Sequence, residues 1–584
     1  MQARNPQWWR TPQINEPAWT WQDASNTTRH GAWWQDAVIY QLSPWSFQAT
    51  GDGPGGDLPG VIQRLEYVAS LGVDAIWLTP IYPSPMDDLG YDVVEMTGVA
   101  PEFGTDEDFR RLLRISHQLG LKVILDAVWS HTSSQHPWFK ESRQSRDNPR
   151  ADWYVWADPA PDGGPPNNWR SAFTGDSGWA YCESREQYYF FNFLESQPDL
   201  NWHCQAVREA VLDAARYWLD LGIDGLRLDA VNFYAHDPAL TDNPPRGEQD
   251  AMPEGIPPDN PMTEQCFVNS FCREETLQYL APLRHLVDQY PDTMLLGEVT
   301  LCEDSVKTAA DYTRGDDRLH LAYHSALLAD RPITAAFMRH SIERVTAAFG
   351  EGGTCWIVGN HDYGRLRSRW GGDERDYPER FYHMAAAMLL VLPGAFCLWQ
   401  GDELGLPEAR IPGEIPADQI RDPFGQALYP DVTGRDGSRT PMPWSAEAPN
   451  AGFLRDSAKP WLPIPERHRR RAVDRQHADP DSLLNRWRQL LQWRRLQPAL
   501  TAGDSTLLDA PTHVLALLRS YQAQRLLCLF NLSERDVEVD LRPYGRCQHI
   551  HRLGYDSALA DDRHRVLLSP WSAFLAHLAP ETRS

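Results

Sequence analysis

A chain of 584 residues with a formal net charge of −25 and a pI near 5.2 is badly matched to nucleic acid or an anionic membrane and suits a neutral substrate. Its length allows two or three domains, and its 24 tryptophans can serve cores and sugar-ring faces alike. Nine cysteines at irregular spacing, with no CxxC, read as mostly reduced core thiols of a cytoplasmic protein.

Residues 1–31 carry Trp8, Trp9, Trp19 and Trp21 among prolines and polar residues, without a period and without a secretory leader; we read them as an N-terminal arm. From Ala37 short apolar strands alternate with amphipathic helices. The pattern predicts strands at Ala37–Leu42, Ala75–Leu78, Lys122–Ala127, Gly225 onward, Met294–Gly297, Leu319–Tyr323, Cys355–Val358 and Ala395–Leu398. Helices are expected at Val61–Leu71, Asp106–Leu119 (capped by Thr105), Val207–Leu221, Glu274–Gln289 and Ser482–Arg495. The longest apolar run, Met384–Trp399, is too short to span a bilayer and is broken at Pro393; it reads as a buried helix feeding a buried strand.

Eight strands separated by helices indicate an α/β fold, a closed (β/α)₈ TIM barrel with an inserted B domain and a C-terminal β-sandwich. The open doubly wound alternative lacks a GxGxxG after its first strand, and GDGPGG at 51–56 lacks the Lys-Ser/Thr of a phosphate loop. The barrel is expected over 32–128 and 201–501. Residues 129–200, rich in Pro, Gly, Asn and aromatics, would form the insertion roofing the barrel mouth, and 401–465 is a second long loop. From 502 to 584 the pattern alternates as strands, the C-terminal sandwich.

Catalytic groups of such a barrel sit just past the C-terminal strand ends. Those positions hold Asp126 and His131, Asp229, Glu298, and His361 with Asp362. Each alone has an ordinary explanation as a cap or a satisfied core group; together they place carboxylates and imidazoles on one rim. Paired carboxylates suit glycoside cleavage, in which one acid protonates the leaving oxygen and another meets the oxocarbenium carbon. Arg227 two residues before Asp229 should keep that carboxylate ionised, as a nucleophile requires. Glu298, in the apolar stretch LLGEV, should be raised by desolvation, as a general acid requires. Asp362 completes the set, and Asp126, deeper in its strand, reads as structural.

The stretches DAVWSH (126–131), QPDLN (197–201), GLRLDAVN (225–232), LLGEV (295–299) and VGNHD (358–362) resemble, in order, the signature regions of the α-amylase family, glycoside hydrolase family 13. The resemblance implies retaining cleavage of α-glucosidic bonds, with Asp229 as nucleophile, Glu298 as acid/base and Asp362 as transition-state stabiliser. It also implies that His131, Arg227 and His361 bind sugar. PPNNW (165–169), IRDPFG (420–425) and GRDGSRTPMPW (434–444) are similar to bacterial α-glucosidases of that family acting on short substrates, some with glucosyl-transfer ability. In that group the Asp of GYD and the Arg before TPMPW, here Asp92 and Arg439, close the far end of the pocket and make the action exo. Tyr91, Phe173 and Phe193 match its aromatic walls, and Ala230 after the nucleophile leans towards α-1,4 linkages.

Departures stand beside these matches. The family's calcium loop here reads ATGDGPGGD (49–57), with Ala49 and Gly51 at expected ligand positions; Asp52 and Asp57 remain, and calcium needs about six to eight oxygens. No cofactor is therefore expected, and the calcium site reads as degraded. Phe191, Thr300, 250–272 and 319–325 also depart, all near the acceptor side. The expected partner is a small oligosaccharide or glucoside; the oligomeric state is not legible. Against hydrolysis stands a transferase or isomerase of the same superfamily, such as one interconverting maltose and trehalose. A non-catalytic scaffold on this fold would predict a membrane span and eroded carboxylates, neither of which the sequence carries.

Overall fold

The computed structural model describes residues 31–250, 252–253, 261–328, 331–350, 352–371 and 377–579. The N-terminal arm lies outside them except for Gly31, as do residues 251 and 254–260 of the divergent segment 250–272.

Eight parallel strands close into a barrel in sequence order: β1 (Val38–Leu42), β2 (Ala75–Leu78), β3 (Lys122–Ala127), β4 (Gly225–Leu228), β5 (Met294–Glu298), β6 (Leu321–Tyr323), β7 (Thr354–Ile357) and β8 (Ala395–Trp399). Closure is made by β1 against β8, with Val38 opposite Phe396. The alternation expected of strands decides what faces inward. Ile39, Ala75, Trp77, Ile124, Met294, Leu296, Tyr323 and Ile357 fill the barrel interior. Their neighbours, such as Val38, Leu78, Leu125, Leu226 and Leu295, pack outward against the helices.

Local chemistry sets the helix starts. α1 (Leu58–Leu71) begins three residues before the expected position because the Asp57 side chain accepts from the Gly60 N–H and Pro59 suits the first turn. α2 (Asp106–Gln118) has the anticipated Thr105 cap, reciprocated by Asp108. α3 (Gln205–Asp220) precedes β4, and α4 (Glu275–Val287) precedes β5. The run from Met384 is, as expected, a buried helix (Glu379–Leu390) followed by β8.

The insertion after β3 holds a small antiparallel sheet, Trp156–Ala157, Gln187–Phe190 and Trp179–Cys182, packed on Trp169. The C-terminal region folds as a five-stranded and a three-stranded antiparallel sheet around Leu527, Leu529, Val566 and Phe574. Three of its strands, Asp504–Leu507, Cys547–Ile550 and Ser557–Leu559, escape the sequence pattern. Each lies at a sheet edge and buries little, so selection for an apolar alternation is weak there. Seven described cysteines are free thiols, whereas Cys272 and Cys302 form a disulfide between the loops that follow β4 and β5. Among the described residues no helix is long and apolar enough to cross a membrane.

Candidate active site

The inward positions at the C-terminal end of three adjacent strands are charged. Register places Asp126 of β3 beside Arg227 of β4, and Arg227 beside Leu296, two residues before Glu298. Arg227 is fully buried, its guanidinium 4.8 Å above the Trp77 ring. Its Nη1 donates to Asp126 Oδ1 and Asp229 Oδ1, both at 2.7 Å, and its Nη2 to Glu298 Oε2 at 2.6 Å and to the Tyr323 hydroxyl at 2.6 Å. Asp229 and Glu298 thus hang on neighbouring nitrogens of one planar guanidinium, which fixes them close together. The chain turns sharply after Asp229: Ala230 takes a left-handed conformation, φ 42°, unusual for a residue with a Cβ. That turn aims the Ala230 N–H at Glu298 Oε2, 2.9 Å away. Glu298 Oε1 and Asp229 Oδ2 stay free for chemistry.

The expectation that Arg227 keeps Asp229 ionised is corrected here, because strand pairing makes Asp229 share that cation with Asp126 and Glu298. Burial pushes the Asp229 pKa well up, with Arg227 opposing and Glu298 and Asp126 adding to the rise. Burial likewise raises Glu298, again opposed by Arg227. One guanidinium thus faces three buried carboxyls close enough to interact, and Asp229 and Glu298 titrate as a coupled pair. Arg227 itself sits beneath the acids and lines no cavity wall, so its expected sugar-binding place becomes a supporting one.

Above the acids opens a cavity of about 160 Å³. Its floor holds Asp229, Glu298 and Asp362, and its side His131, Tyr91 and His361. The Tyr91 and His361 rings stack 5.0 Å apart, and the Tyr91 hydroxyl donates to Asp126 Oδ2 at 2.9 Å. Burial holds both histidines neutral, His131 down to about 4 and His361 well below its ordinary value. His361 Nδ1 meets the Gln41 amide nitrogen at 2.8 Å and Nε2 faces Asp362 Oδ2 at 3.1 Å. Burial alone would raise Asp362, but the Arg435 and Arg439 guanidiniums, with His361 Nε2 facing it, hold it below the usual carboxylate range.

The rear wall departs from expectation. Asp92 and Arg439 do not reach the cavity. Asp92 is fully buried, and its carboxylate accepts from Ser84 Oγ at 2.7 Å and from the N–H groups of Asp87 at 3.0 Å and Asp88 at 3.2 Å. Arg439 lies behind His361, donating to its carbonyl at 2.6 Å and to Asp362 Oδ1 at 3.1 Å. The pair that closes the cavity is Asp88 and Arg435, joined at 2.8 Å, with Arg435 Nη1 also 2.9 Å from Asp362 Oδ1. Both stand four residues before the ones picked from sequence, inside the same stretches DDLGYD and GRDGSR. Asp92 is the acceptor that folds the turn presenting Asp88. The signal was the doubled acid and doubled Arg; nothing in spacing says which one faces inward.

Apart from Thr300, the mouth is apolar. Phe173 and Phe193 come from the stretch inserted after β3, joined by Ala172; Phe233 follows β4, Leu301 follows β5, and Met262 and Phe424 come from long loops. Phe233, Met262, Leu301 and Phe424 were not anticipated, since lone apolar residues in loops carry no pattern.

At the loop 49–57, which resembles the family's calcium loop, protein groups already engage the two remaining aspartates. Both Asp57 oxygens accept N–H donors, from Thr50 at 2.8 Å, Gly51 at 3.0 Å and Gly60 at 2.7 Å. Ala49 packs against Phe453 and Leu454, and Asp52 is exposed and paired with Arg455 at 3.5 Å.

A sequence model described as "Alpha amylase, catalytic domain" matches residues 41–503. The chain belongs to the alpha-amylase family. A second model, "Maltogenic Amylase, C-terminal domain", matches residues 505–575. A probable alpha-glucosidase of Rhizobium meliloti is 43% identical over 94% of this chain and 97% of its own length. An oligo-1,6-glucosidase of Heyndrickxia coagulans is 34% identical over 87% and 93% respectively. The crystal structure of the alpha-glucosyl transfer enzyme XgtA superposes with a TM-score of 0.88 at 44% identity, covering 94% of this chain and 99% of its own. An isomaltulose synthase of Erwinia rhapontici, solved with sucrose bound, gives 0.83 at 29% identity, covering 94% and 100%.

Proposed function

We propose that this enzyme is a retaining, exo-acting α-glucosidase that removes the terminal non-reducing glucosyl unit of short substrates, with α-1,4 bonds favoured. The observation that carries the reading is the shared Arg227: two carboxyls pinned to one guanidinium at the floor of a cavity sealed behind by Asp88 and Arg435. Retaining pairs stand about 5–5.5 Å apart, and one guanidinium suits that closeness.

In the bound state the proton of the acid pair rests on Glu298 Oε1 and Asp229 Oδ2 is the free nucleophilic oxygen. Asp229 attacks the anomeric carbon as the glycosidic bond breaks and Glu298 protonates the leaving oxygen. The glucosyl–Asp229 ester is then opened by water or an alcohol, whose proton returns to Glu298. Asp362, kept ionised by Arg435 and Arg439, stabilises the oxocarbenium charge. Asp88 and Arg435 grip the far hydroxyls of the glucose ring and leave no room for a longer chain beyond it.

The apolar mouth favours a second outcome of the same intermediate, transfer to a sugar or alcohol acceptor, because Phe173, Phe233, Met262 and Leu301 exclude water from the acceptor side. Isomerisation, as in maltose–trehalose interconversion, is the limiting case in which the departing unit is recaptured. A product profile tests both: proton NMR of the anomeric signals during incubation with maltose, isomaltose, sucrose and trehalose. Glucose release from maltose supports hydrolysis, new linkages support transfer, and inertness towards all four overturns the reading.

We also propose that no metal supports this fold and that the protein works in the cytoplasm, the latter on its seven free thiols. Chelator should leave the melting temperature unchanged; a fall of several degrees would show that an ion is held after all.

A further inference from the structure

We propose that Asp422 is the positioning residue of the pocket: it sets the Arg435 guanidinium from behind and couples the glucose end of the cavity to the aglycone wall at Phe424. The inference rests on the glycosidic reading of the site and adds a specificity-determining group to it.

Asp422 is fully buried and lines no part of the cavity. Its Oδ2 accepts from the Arg435 backbone N–H at 2.6 Å, and its Oδ1 from Arg435 Nη2 at 2.7 Å, with Nε 3.1 Å from both oxygens. One carboxylate therefore fixes both the backbone and the head of Arg435, the orientation a bidentate guanidinium needs before it reaches anything else. The remaining edge of that head points at Asp88 and Asp362, the groups lining the rear of the pocket. The clasp is reciprocal: Asp436, the residue after Arg435, accepts from the N–H groups of Arg421 at 2.5 Å and Asp422 at 3.1 Å. Two stretches of the long loop after β8 are thereby tied to each other.

The same carboxylate has a second duty. It caps the short helix Pro423–Leu428, accepting from the Phe424 N–H at 3.4 Å. Phe424 then reaches the mouth, its ring 5.6 Å from Phe173, over which the Arg435 guanidinium lies at 4.8 Å. Glucose recognition and aglycone contact consequently hinge on one side chain that touches neither.

Three variants separate these duties. Asn is a good helix cap, so Asp422→Asn keeps Phe424 in place and removes the charge that orients Arg435. It should weaken a glucose-shaped iminosugar inhibitor and raise KM roughly 10–100-fold, the loss of a charge-assisted hydrogen bond, with kcat within about 3-fold. Asp422→Ala loses both duties and should also shift the ratio of transfer to hydrolysis. Phe424→Ala should shift that ratio alone and leave iminosugar affinity unchanged. Wild-type iminosugar affinity in both Asp422 variants overturns the proposal, as does equal weakening by Phe424→Ala, which would mark a merely structural loop. Should Asp422→Asn fail to fold, Asp422→Glu keeps the charge one methylene out of place; it must fold and still weaken the inhibitor, and unchanged affinity overturns the proposal. A wild-type enzyme inert towards every α-glucoside would instead sink the glycosidic reading itself.

Discussion

The two ends of the cavity are built on opposite principles. At the rear, Asp88, Arg435, Asp362 and His361 are charged or polar, buried or half-buried, and bonded to one another. At the mouth, Phe193, Phe233, Met262 and Leu301 present apolar side chains to the cavity. A site whose buried polar groups need a partner discriminates strongly against a ligand lacking the matching hydroxyl, whereas an apolar wall tells shapes apart only weakly. On the proposed reading, the rear is the part that selects one sugar, and the mouth is the part that tolerates different leaving groups and acceptors.

The largest effect belongs to the floor both ends share. Asp229→Asn should cut turnover by about 10⁴-fold or more, the scale seen when a nucleophile is removed, while the circular-dichroism melting curve stays cooperative. Normal activity would strip Asp229 of its role. Glu298→Gln should cost on the order of 10²–10⁴ with alkyl leaving groups and far less with nitrophenolate, which needs no proton. It should also remove the alkaline limb of the kcat/KM profile. With burial raising both acids, that limb is the pH at which the pair gives up its last proton, and the acid limb is where it takes a second. An alkaline limb persisting in the variant would place the proton elsewhere.

The rear itself is tested by two acids four residues apart. Asp88→Asn should raise KM roughly 10–100-fold without moving the melting temperature. Asp92→Asn should leave KM nearly unchanged and alter stability instead. Burial pushes the Asp92 carboxyl up to about 6, against the lowering bonds of Ser84 and Asp88, whereas an unfolded Asp titrates at about 3.9. A raised carboxyl favours the folded state while protonated, so its contribution is present below about 4 and is lost as the pH climbs to about 6. The Asn variant should lack that decline in urea melts across the window. The reverse pattern, KM moved by Asp92 and not by Asp88, would restore the assignment made from sequence.

That misassignment shows where the sequence is legible. Strand and helix periodicity located all eight barrel strands, because inward and outward positions both bury apolar groups and selection writes them clearly. Asp229 and Glu298 were legible for a related reason: each stands at the end of a strand, and a strand end in a barrel has one place to point, whereas Asp362 lies on the loop five residues past β7 and was picked by its VGNHD motif. Asp88 and Arg435 sit on irregular loops, where facing is decided by turns such as the one Asp92 organises, and no period records it. The shared Arg227 was half legible. Its closeness to Asp229 is local, while its bond to Glu298, 71 residues away in the chain, is created by the pairing of β4 with β5.

The smallest effect is expected at the mouth. The Cys272–Cys302 disulfide ties the loop after β4 to the loop after β5. It lies next to Phe271, which stacks 4.1 Å from Phe233, and next to Leu301, so it braces the aglycone wall and nothing at the rear. Reduction should leave iminosugar affinity untouched and change the partition between water and alcohol acceptors by a few-fold, about the worth of one misplaced apolar contact. The loss is bounded because a second brace survives it: Asn232 Nδ2 donates to the Thr300 carbonyl at 2.9 Å and holds the β5 loop by itself. Asn232→Ala combined with reduction should therefore exceed the sum of the two separate changes, as groups sharing one loop are not independent. A reduced enzyme that loses iminosugar binding would show instead that the wall and the rear are mechanically one.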